Sequence, residues 1–352
     1  MGRDLYHHHP TFAHALDEAC AHLDPHLPQP LKPLLFAPPH TPQAQLLNHT
    51  LYTQPALFAF QTALHHLLTH HGITPTHLIG HSIGEITAAH TAGILTLPDA
   101  ATLVTTRARL MNQLPPGAMI TAHTTDPTPL TQALEHHPHT ASIAATNTPD
   151  TYVISGDPHT IDHLTTHLEK HHIKTKKLHV SHAFHSPHME PILEEFHTTA
   201  QTLTYHPPHT PLISNTTGQL AHPHQHTNPH YWTQHIRQPV HFTQGITTLH
   251  HLGTTTYLEL TPHPTLTPAI HTTTETLTNT NNPNNPVIIP LQHHNTTPNH
   301  HHYTTALATL HTHGTTPNWT TTHTPTHTTT DNHPVPLPTY PFQHQTYWLR
   351  PA

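Results

Sequence analysis

Apolar residues recur at helical spacing along the first third of the chain, and short apolar runs separate these stretches. The run Leu78-Ile79-Gly80 predicts a strand, and the pattern over 83–92 predicts a helix directly after it. Strand, tight turn and helix in this order are typical of α/β proteins. Later apolar runs predict further short strands at 211–214, 257–260 and 287–290. A chain of 352 residues is long enough to bury a large core of this kind.

Residues 117–180 have a different rhythm. Strands are predicted at 118–120, 141–145, 151–155 and 175–180, with helices at 128–136 and 159–171. The order βαββαβ is that of a ferredoxin-like split unit. The unit is an insertion, because the α/β pattern resumes after it. We therefore predict an α/β fold with a core formed by 1–116 and 181–285 and a ferredoxin-like subdomain at 117–180.

The last part of the chain is poor in apolar pattern. Residues 272–286 are rich in Thr, Asn and Pro and are predicted to form a loop. Residues 291–352 are mostly Thr, His and Pro, with one helix predicted near 303–313. Their aromatic end, Tyr347-Trp348-Leu349, is expected to dock on a surface. We assign 286–352 to a C-terminal linker segment.

The composition is unusual, because only 8% of residues are Asp, Glu, Lys or Arg while 52 are His. The formal charge is −8 with His neutral, but partial protonation of 52 imidazoles at pH 7 leaves its sign open. Charge therefore favours no nucleic-acid partner. No apolar run has the length of a membrane span, and a single cysteine excludes a disulfide framework.

Two interpretations of the histidines stay open. His, Thr and Asn each differ from Arg, Ala and Asp by one G-to-A codon change, so drift of a G-poor coding strand would leave most histidines as passive substitutions. Third codon positions rich in G would contradict this hypothesis. The alternative is metal binding by the tracts His7-His8-His9 and His300-His301-His302. Because the tracts lack the spacing and the Cys or carboxylate partners of a defined site, we predict no metal.

A candidate nucleophile lies between the first predicted strand and its helix. Gly80-His81-Ser82-Ile83-Gly84 fits the pattern G-x-S-x-G, in which a strained turn presents the serine hydroxyl at a helix N-terminus. The backbone N–H of Ile83 would then face a developing oxyanion. By itself the pattern also fits an ordinary loop before a helix, but the strand and helix around it favour catalysis. Composition cannot select the base among 52 histidines.

Seven stretches in the right order identify the family. They resemble the acyltransferase domain of modular type I polyketide synthases, within the malonyl-CoA:acyl carrier protein transacylase family. Six of the stretches are 52–59 (YTQPALFA), 80–85 (GHSIGE), 107–111 (RARLM), 181–187 (SHAFHSP), 231–232 (YW) with 237–240 (RQPV), and 258–264 (LELTPHP). The seventh, 337–343 (LPTYPFQ), resembles the linker that follows this domain in synthase modules. The family's architecture, an α/β-hydrolase-like core with an inserted ferredoxin-like unit, agrees with the pattern described above.

The resemblance implies specific roles. Ser82 is expected to form the acyl ester and His185 to act as general base. A backbone carbonyl orients the base in this family, and by alignment it belongs to His235, whose side chain would have no role. Arg107 is expected to bind the free carboxylate of the acyl group in a bidentate fork. Gln54 matches a supporting polar residue, although a purely structural amide would look the same.

The resemblance also implies the substrate. Members that select methylmalonyl typically carry Gln after the serine and a Tyr-Ala-Ser-His motif. Here Ile83 and His182-Ala183-Phe184-His185 occupy those positions, which is the malonyl type. Phe184 would fill the space that an α-methyl group needs, a difference worth about 1–3 kcal/mol. We therefore expect malonyl-CoA as donor, with no bound cofactor, and the phosphopantetheine thiol of an acyl carrier protein as acceptor.

Other implications concern context. The family's first core strand and its Gly-Gln-Gly loop, which supplies a second oxyanion donor, have no counterpart in this sequence. An adjacent ketosynthase and its linker are expected as partners in a larger synthase, in the cytoplasm, with no nucleic acid and no membrane. Two alternatives remain: a truncated, catalytically impaired remnant with at most a docking role, and a serine hydrolase. Arg107 argues against the hydrolase, because typical esters carry no carboxylate.

Overall fold

The computed structural model describes residues 1–277, 286–292 and 299–321. The helices are α1 (Arg3–His8), α2 (Pro10–Leu23), α3 (Leu31–Leu35), α4 (Pro42–Leu46), α5 (Thr50–His70), α6 (Ile83–Thr91), α7 (Leu97–Asn112), α8 (Thr128–Glu135), α9 (Pro158–Lys170), α10 (Leu193–Gln201), α11 (Pro229–Arg237), α12 (Phe242–His251), α13 (Thr267–Leu277) and α14 (Asn299–Thr312). The strands are β1 (Leu78–Ile79), β2 (Ala118–His123), β3 (Ala141–Thr148), β4 (Thr151–Gly156), β5 (Lys174–Lys177), β6 (Leu212–Ile213), β7 (Thr256–Glu259) and β8 (Val287–Pro290). Short 3-10 turns lie at Asp24–His26, Pro187–Ile192 and Trp319–Thr321.

The strands of the core pair in parallel, as expected when helical crossovers connect them. β1 pairs with β6 in the register Leu78↔Leu212, and β7 pairs with β8 in the register Thr256↔Val287. Helices α5, α6 and α7 pack together beside β1. The long α5 is buried on most of its surface because apolar and small residues occupy nearly all its positions. This packing fixes the helices that carry three of the predicted site residues.

The insertion forms a separate four-stranded antiparallel sheet with the order β3-β4-β2-β5. Helices α8 and α9 cover one face of the sheet, where Leu130, Ile161 and Leu164 pack against Ile120 and Ile154. Each predicted strand and helix of 117–180 is present, with ends that differ by at most three residues. The alternation of buried and exposed positions in this segment made the pattern visible in the sequence.

One predicted loop is wrong in its first part. Residues 267–277 form α13, whereas a loop was expected from 272 onward; residues 278–285 lie outside the described residues. Thr273 and Thr274 are buried, and the Thr274 hydroxyl donates to the carbonyl of Ile270 one turn back. Burial against α12 stabilises this turn and outweighs the modest helix propensity of threonine.

The described residues after 286 pack into the main core. α14 covers the predicted helix at 303–313, and Tyr303, Leu307 and Leu310 lie in the same apolar cluster as Leu5 and Phe12. The aromatic tail and the stretch 337–343 lie outside the described residues. None of the described helices is long and apolar enough to cross a membrane.

Candidate active site

Ser82 occupies a strained turn between β1 and α6. Its backbone has φ 53° and ψ −117°, which a non-glycine residue adopts only at a cost. Gly80 makes the turn possible, because a Cβ there would lie 2.1 Å from the backbone nitrogen of Glu85. Gly84 has open space around it, so the second glycine of the motif is not required sterically. The turn aims the Ser82 hydroxyl away from the strand and into a cavity.

His185 meets the serine from a different segment, the loop that follows the inserted subdomain. Its Nε2 lies 2.7 Å from Ser82 Oγ, and its Nδ1 lies 2.9 Å from the carbonyl oxygen of Gln238. Because a carbonyl only accepts, Nδ1 carries the proton and donates to Gln238. Nε2 is then free to accept the proton of the Ser82 hydroxyl, which is the tautomer that a general base needs.

The orienting carbonyl differs from the one expected. It belongs to Gln238 and not to His235, which was the predicted residue. Gln238 is the first residue beyond α11 and has extended backbone angles, so its carbonyl turns out of the helix toward His185. The side chain of His235, expected to have no role, is buried with its Nε2 3.0 Å from Glu85 Oε2.

Arg107 reaches the same serine from α7. Its Nη2 donates to Ser82 Oγ at 3.0 Å, and its Nη1 donates to Gln54 Oε1 at 2.5 Å. The side chain is 2% exposed, its Nε is buried without a hydrogen-bond partner, and no carboxylate of the described residues forms an ion pair with it. A buried, unpaired guanidinium is costly unless an anion joins it.

The remaining predicted residues lie around one cavity of about 230 Å³ beside Ser82. Gln54, Ile83 and Phe184 all line it, together with Arg107. Gln54 also donates from Nε2 to the hydroxyl of Thr50, which fixes its carbonyl oxygen toward Arg107. Ile83 is the first residue of α6, so its backbone N–H lies at the start of the helix beside Ser82. Its service as oxyanion donor stays a prediction.

Burial and charge tune the base. Burial lowers the pKa of His185 well below its ordinary value, and the positive charge of Arg107 lowers it further. Burial also lowers the pKa of Arg107, while the negative charge of Glu85 opposes that shift. The imidazole therefore stays neutral to a lower pH than an ordinary histidine does.

The first prediction is a pH profile. Because His185 accepts a proton only when neutral and its pKa is depressed, the rate of serine acylation should stay level as the pH falls from about 7.5 to about 6. Stopped-flow or quenched-flow acylation at fixed saturating donor measures this directly. A rate that halves near pH 6.5, the ordinary histidine value, would contradict the prediction.

Sequence reasoning missed two further residues. Asn215, just after β6, accepts from the backbone N–H of Ser82 at 2.8 Å and donates to the carbonyl of Gly80 at 2.7 Å. Glu85, fully buried on α6, accepts from the backbone N–H of Asn215 at 3.1 Å. In a chain with 8% charged residues, a carboxylate three positions after the serine was the available signal.

A possible metal-ligand cluster lies away from this site. Asp4, His8 and His300 place one ligand atom each within 4.8 Å of one another, so the two histidine tracts do meet in the fold. The contacts within the cluster already have a structural explanation. Asp4 Oδ2 accepts from the backbone N–H and Nδ1 of His300 at 2.7 Å each, and His8 Nδ1 lies 3.2 Å from Asp4 Oδ1.

Known proteins resemble this chain in sequence and in fold. Residues 1–317 match the acyl transferase domain family. The spectinabilin polyketide synthase system protein NorB of Streptomyces orinoci is 41% identical over 354 residues, covering 99% of this chain and 16% of that protein. Polyketide synthase GfsA of Streptomyces halstedii is 36% identical over 350 residues, covering 99% of this chain and 4% of that protein. The chain thus spans less than a fifth of the length of these curated relatives.

Solved structures agree. The acyltransferase domain from the second module of the salinomycin polyketide synthase superposes with a TM-score of 0.83 at 36% identity, covering 92% of this chain and 73% of that one. The malonyl-CoA:acyl carrier protein transacylase of Xanthomonas oryzae has a TM-score of 0.72 at 26% identity, covering 83% and 90%.

An α/β fold with a serine on a strained strand-to-helix turn and a histidine at hydrogen-bond distance is typical of proteins in which a serine acts as the nucleophile in acyl transfer. The chain belongs to the acyltransferase-domain family of type I polyketide synthases. The expected fold class, an α/β-hydrolase-like core with a ferredoxin-like subdomain, is confirmed.

Proposed function

We propose that this chain transfers a malonyl group from coenzyme A to Ser82, and from Ser82 to the phosphopantetheine thiol of an acyl carrier protein. One observation carries the proposal: the buried guanidinium of Arg107 lies 3.0 Å from Ser82 Oγ and has no carboxylate partner among the described residues. An acyl group with a free carboxylate supplies the missing anion at the reacting atom. A monocarboxylic acyl group leaves the charge buried and unpaired.

In the first half of the reaction the Ser82 oxygen attacks the thioester carbonyl while its proton passes to His185 Nε2. The resulting oxyanion is placed near the N–H of Ile83 at the start of α6. When the tetrahedral intermediate collapses, the carbon–sulfur bond breaks and His185 returns the proton to the departing coenzyme A thiolate. The malonyl group is then bound to Ser82 Oγ as an ester.

In the second half the same groups act on the carrier thiol. His185 takes the thiol proton, the sulfur attacks the ester carbonyl, and the Ser82 oxygen leaves with the proton that His185 returns. The two halves share one acyl-enzyme, so the kinetics are ping-pong. The carbonyl of Gln238 keeps Nδ1 protonated throughout and thereby keeps Nε2 as the working nitrogen.

The preference for malonyl over methylmalonyl is assigned to Phe184. Its ring lines the cavity beside Ser82, and it packs against apolar residues of both neighbouring clusters. A ring held by packing on two sides cannot retreat to admit an α-methyl group without strain.

The second prediction follows from this packing. Phe184→Ser should raise the ratio of kcat/KM for methylmalonyl-CoA to that for malonyl-CoA by roughly 10–100-fold, because it removes a contact worth about 1–3 kcal/mol. The measurement is competition between the two donors, with product ratios read from the acylated protein. Leu252→Ser, at an exposed leucine outside the cavity, is the control. An unchanged ratio in folded Phe184→Ser would contradict the assignment.

The proposed reaction is tested with labelled malonyl-CoA and a phosphopantetheinylated acyl carrier protein. Label should move to the carrier with the parent protein and not with Ser82→Ala. Double-reciprocal plots of the transfer rate should be parallel when the concentrations of donor and carrier are varied, as ping-pong kinetics require. Appearance of free malonate at the same rate without carrier would favour the hydrolase. Absence of label on both proteins would favour the non-catalytic remnant. An adjacent ketosynthase, its linker and a cytoplasmic location belong to the same proposal.

A further inference from the structure

We infer that Glu85 is a positioning residue that keeps Ser82 and His185 in their relative orientation. The inference rests on the proposed function, because it assumes that this pair performs the acyl transfer. Glu85 touches neither reacting atom. It acts through Asn215 toward the serine and through α11 toward the histidine.

The carboxylate of Glu85 collects contacts from three separate segments. Its side chain is fully buried, and its partners lie at least 130 residues away in the sequence. The backbone N–H of Asn215 donates to Oε1 at 3.1 Å, and His226 Nε2 lies 2.8 Å from the same oxygen. The hydroxyl of Tyr231 donates to the same oxygen, Oε1. His235 Nε2 lies 3.0 Å from the other oxygen, Oε2.

The branch toward the serine is short. The backbone of Asn215 is held by Glu85, and its side-chain amide clamps the two ends of the strained turn by bonding the Gly80 carbonyl and the Ser82 N–H. Ser82 keeps its positive φ only while surrounding groups over-determine it. Loss of the anchor therefore relaxes the turn that presents the hydroxyl.

The branch toward the histidine runs through α11. Tyr231 and His235 lie one turn apart on this helix and both point at Glu85. The helix ends at Arg237, and the next residue, Gln238, accepts from His185 Nδ1. The carboxylate thus fixes the rotation of the helix whose end orients the base.

The charge of Glu85 matters as well as its shape. Burial by itself raises the pKa of a carboxyl group, but His235 and His226 more than offset it and hold the pKa of Glu85 below its ordinary value. A carboxylate offers only acceptors, and one of its oxygens, Oε1, accepts from the Asn215 N–H and the Tyr231 hydroxyl and lies 2.8 Å from His226 Nε2. An amide of the same shape keeps an oxygen for the Asn215 and Tyr231 donors but has no negative charge, so it holds both branches more weakly. Its NH₂ group also replaces the oxygen that lies 3.0 Å from His235 Nε2.

Glu259 provides a matched control. It is also a buried carboxylate, 4% exposed, and it also anchors a loop, since it accepts from the backbone N–H groups of Thr265, Leu266 and Thr267. It has no contact with Ser82, His185 or Asn215 among its hydrogen bonds. Glu259→Gln is therefore the same chemical change at a second buried carboxylate. It should lower stability to a comparable extent without affecting the contacts that connect Glu85 to Ser82 and His185.

The experiment compares Glu85→Gln and Glu259→Gln in the full chain, with circular dichroism and Tm to establish folding. The readout is the rate at which a fluorophosphonate labels Ser82, which needs an activated serine but no malonyl group. Displacement of a reacting group by about 1 Å costs roughly 10²-fold, so Glu85→Gln should slow labelling by about that factor. Glu259→Gln should stay within about twofold of the parent, as expected for a change outside the site.

Acyl transfer gives a second, independent readout. In Glu85→Gln the kcat for malonyl transfer should fall as the labelling rate falls, while KM for malonyl-CoA changes little, because Arg107 still binds the carboxylate. If malonyl transfer proves absent in the parent but labelling still depends on Glu85, the proposed function fails and the positioning role stands. The two failures are therefore distinguishable.

Asn215→Ala keeps the test decisive if Glu85→Gln does not fold. This variant removes the clamp on Gly80 and Ser82 and leaves the carboxylate in place, so its labelling rate should fall to a similar extent. The double variant should lose less than the product of the two single effects, because Glu85 and Asn215 share the branch toward the serine and only Glu85 also serves the branch toward the histidine. Full labelling in folded Glu85→Gln, or in folded Asn215→Ala, would overturn the inference.

Discussion

Arg107→Ala should lower kcat/KM for malonyl-CoA by roughly 10²–10³-fold, because two charge-assisted hydrogen bonds to the substrate carboxylate are lost. The same change should raise activity with acetyl-CoA relative to malonyl-CoA. In the parent, acetyl would enter a cavity where the guanidinium is 2% exposed and unpaired by any described carboxylate, and the variant removes that penalty. The inversion of preference, more than the loss alone, identifies the arginine as the carboxylate-binding group.

Arg109→Ala is the matched control for this prediction. Arg109 lies two positions further along α7, is 43% exposed and pairs with Glu195 at 2.8 Å on the surface. A surface pair of this kind contributes little to stability, so both donors should react as in the parent. Unchanged selectivity for malonyl in folded Arg107→Ala would remove the assigned role.

His185→Ala should slow acylation of Ser82 by at least about 10³-fold, because the serine loses the base that accepts its proton. Binding of malonyl-CoA should persist, since Arg107, Gln54 and Phe184 remain. Single-turnover acylation gives the rate, and equilibrium binding of malonyl-CoA to the variant gives the affinity.

His188→Ala tests whether any histidine of the segment would have the same effect. His188 lies three residues beyond the base, in the 3-10 turn Pro187–Ile192, and is half-buried. Among the described residues, the Ser82 hydroxyl forms hydrogen bonds with His185 and Arg107 and none with His188. In the His188→Ala variant, Ser82 should be acylated at the parental rate. A similar loss in both variants would mean that the loop, and not the imidazole at 2.7 Å, is what matters.

Much of the fold was predictable from local patterns of apolar and polar residues. The βαββαβ unit at 117–180 was predictable because buried and exposed residues alternate there at the strand and helix periods, and β1 and α6 were predictable from an apolar run, a glycine and a helical pattern. The helix at 267–277 was not predicted in full. Threonines fill its second half, and their burial against α12, which stabilises the turn, is a tertiary effect.

The site was predictable only in part. Ser82 follows from the local pattern G-x-S-x-G, but His185 could be chosen among 52 histidines only through the family resemblance. Gln238, Asn215 and Glu85 act through contacts between residues more than 50 positions apart, and a backbone carbonyl has no side-chain signature. That is also why His235 was wrongly selected: two carbonyls three residues apart differ only in which one leaves α11 toward the base.

Intact-protein mass spectrometry after incubation with malonyl-CoA tests the central proposal most directly. Methylmalonyl-CoA and acetyl-CoA are run in parallel, and Ser82→Ala is the control. We expect one malonyl adduct on the parent, little or none from the other two donors, and no adduct on Ser82→Ala. A folded parent that acquires no adduct, or an adduct that persists in Ser82→Ala, would contradict the assignment of Ser82 as the acyl-carrying nucleophile.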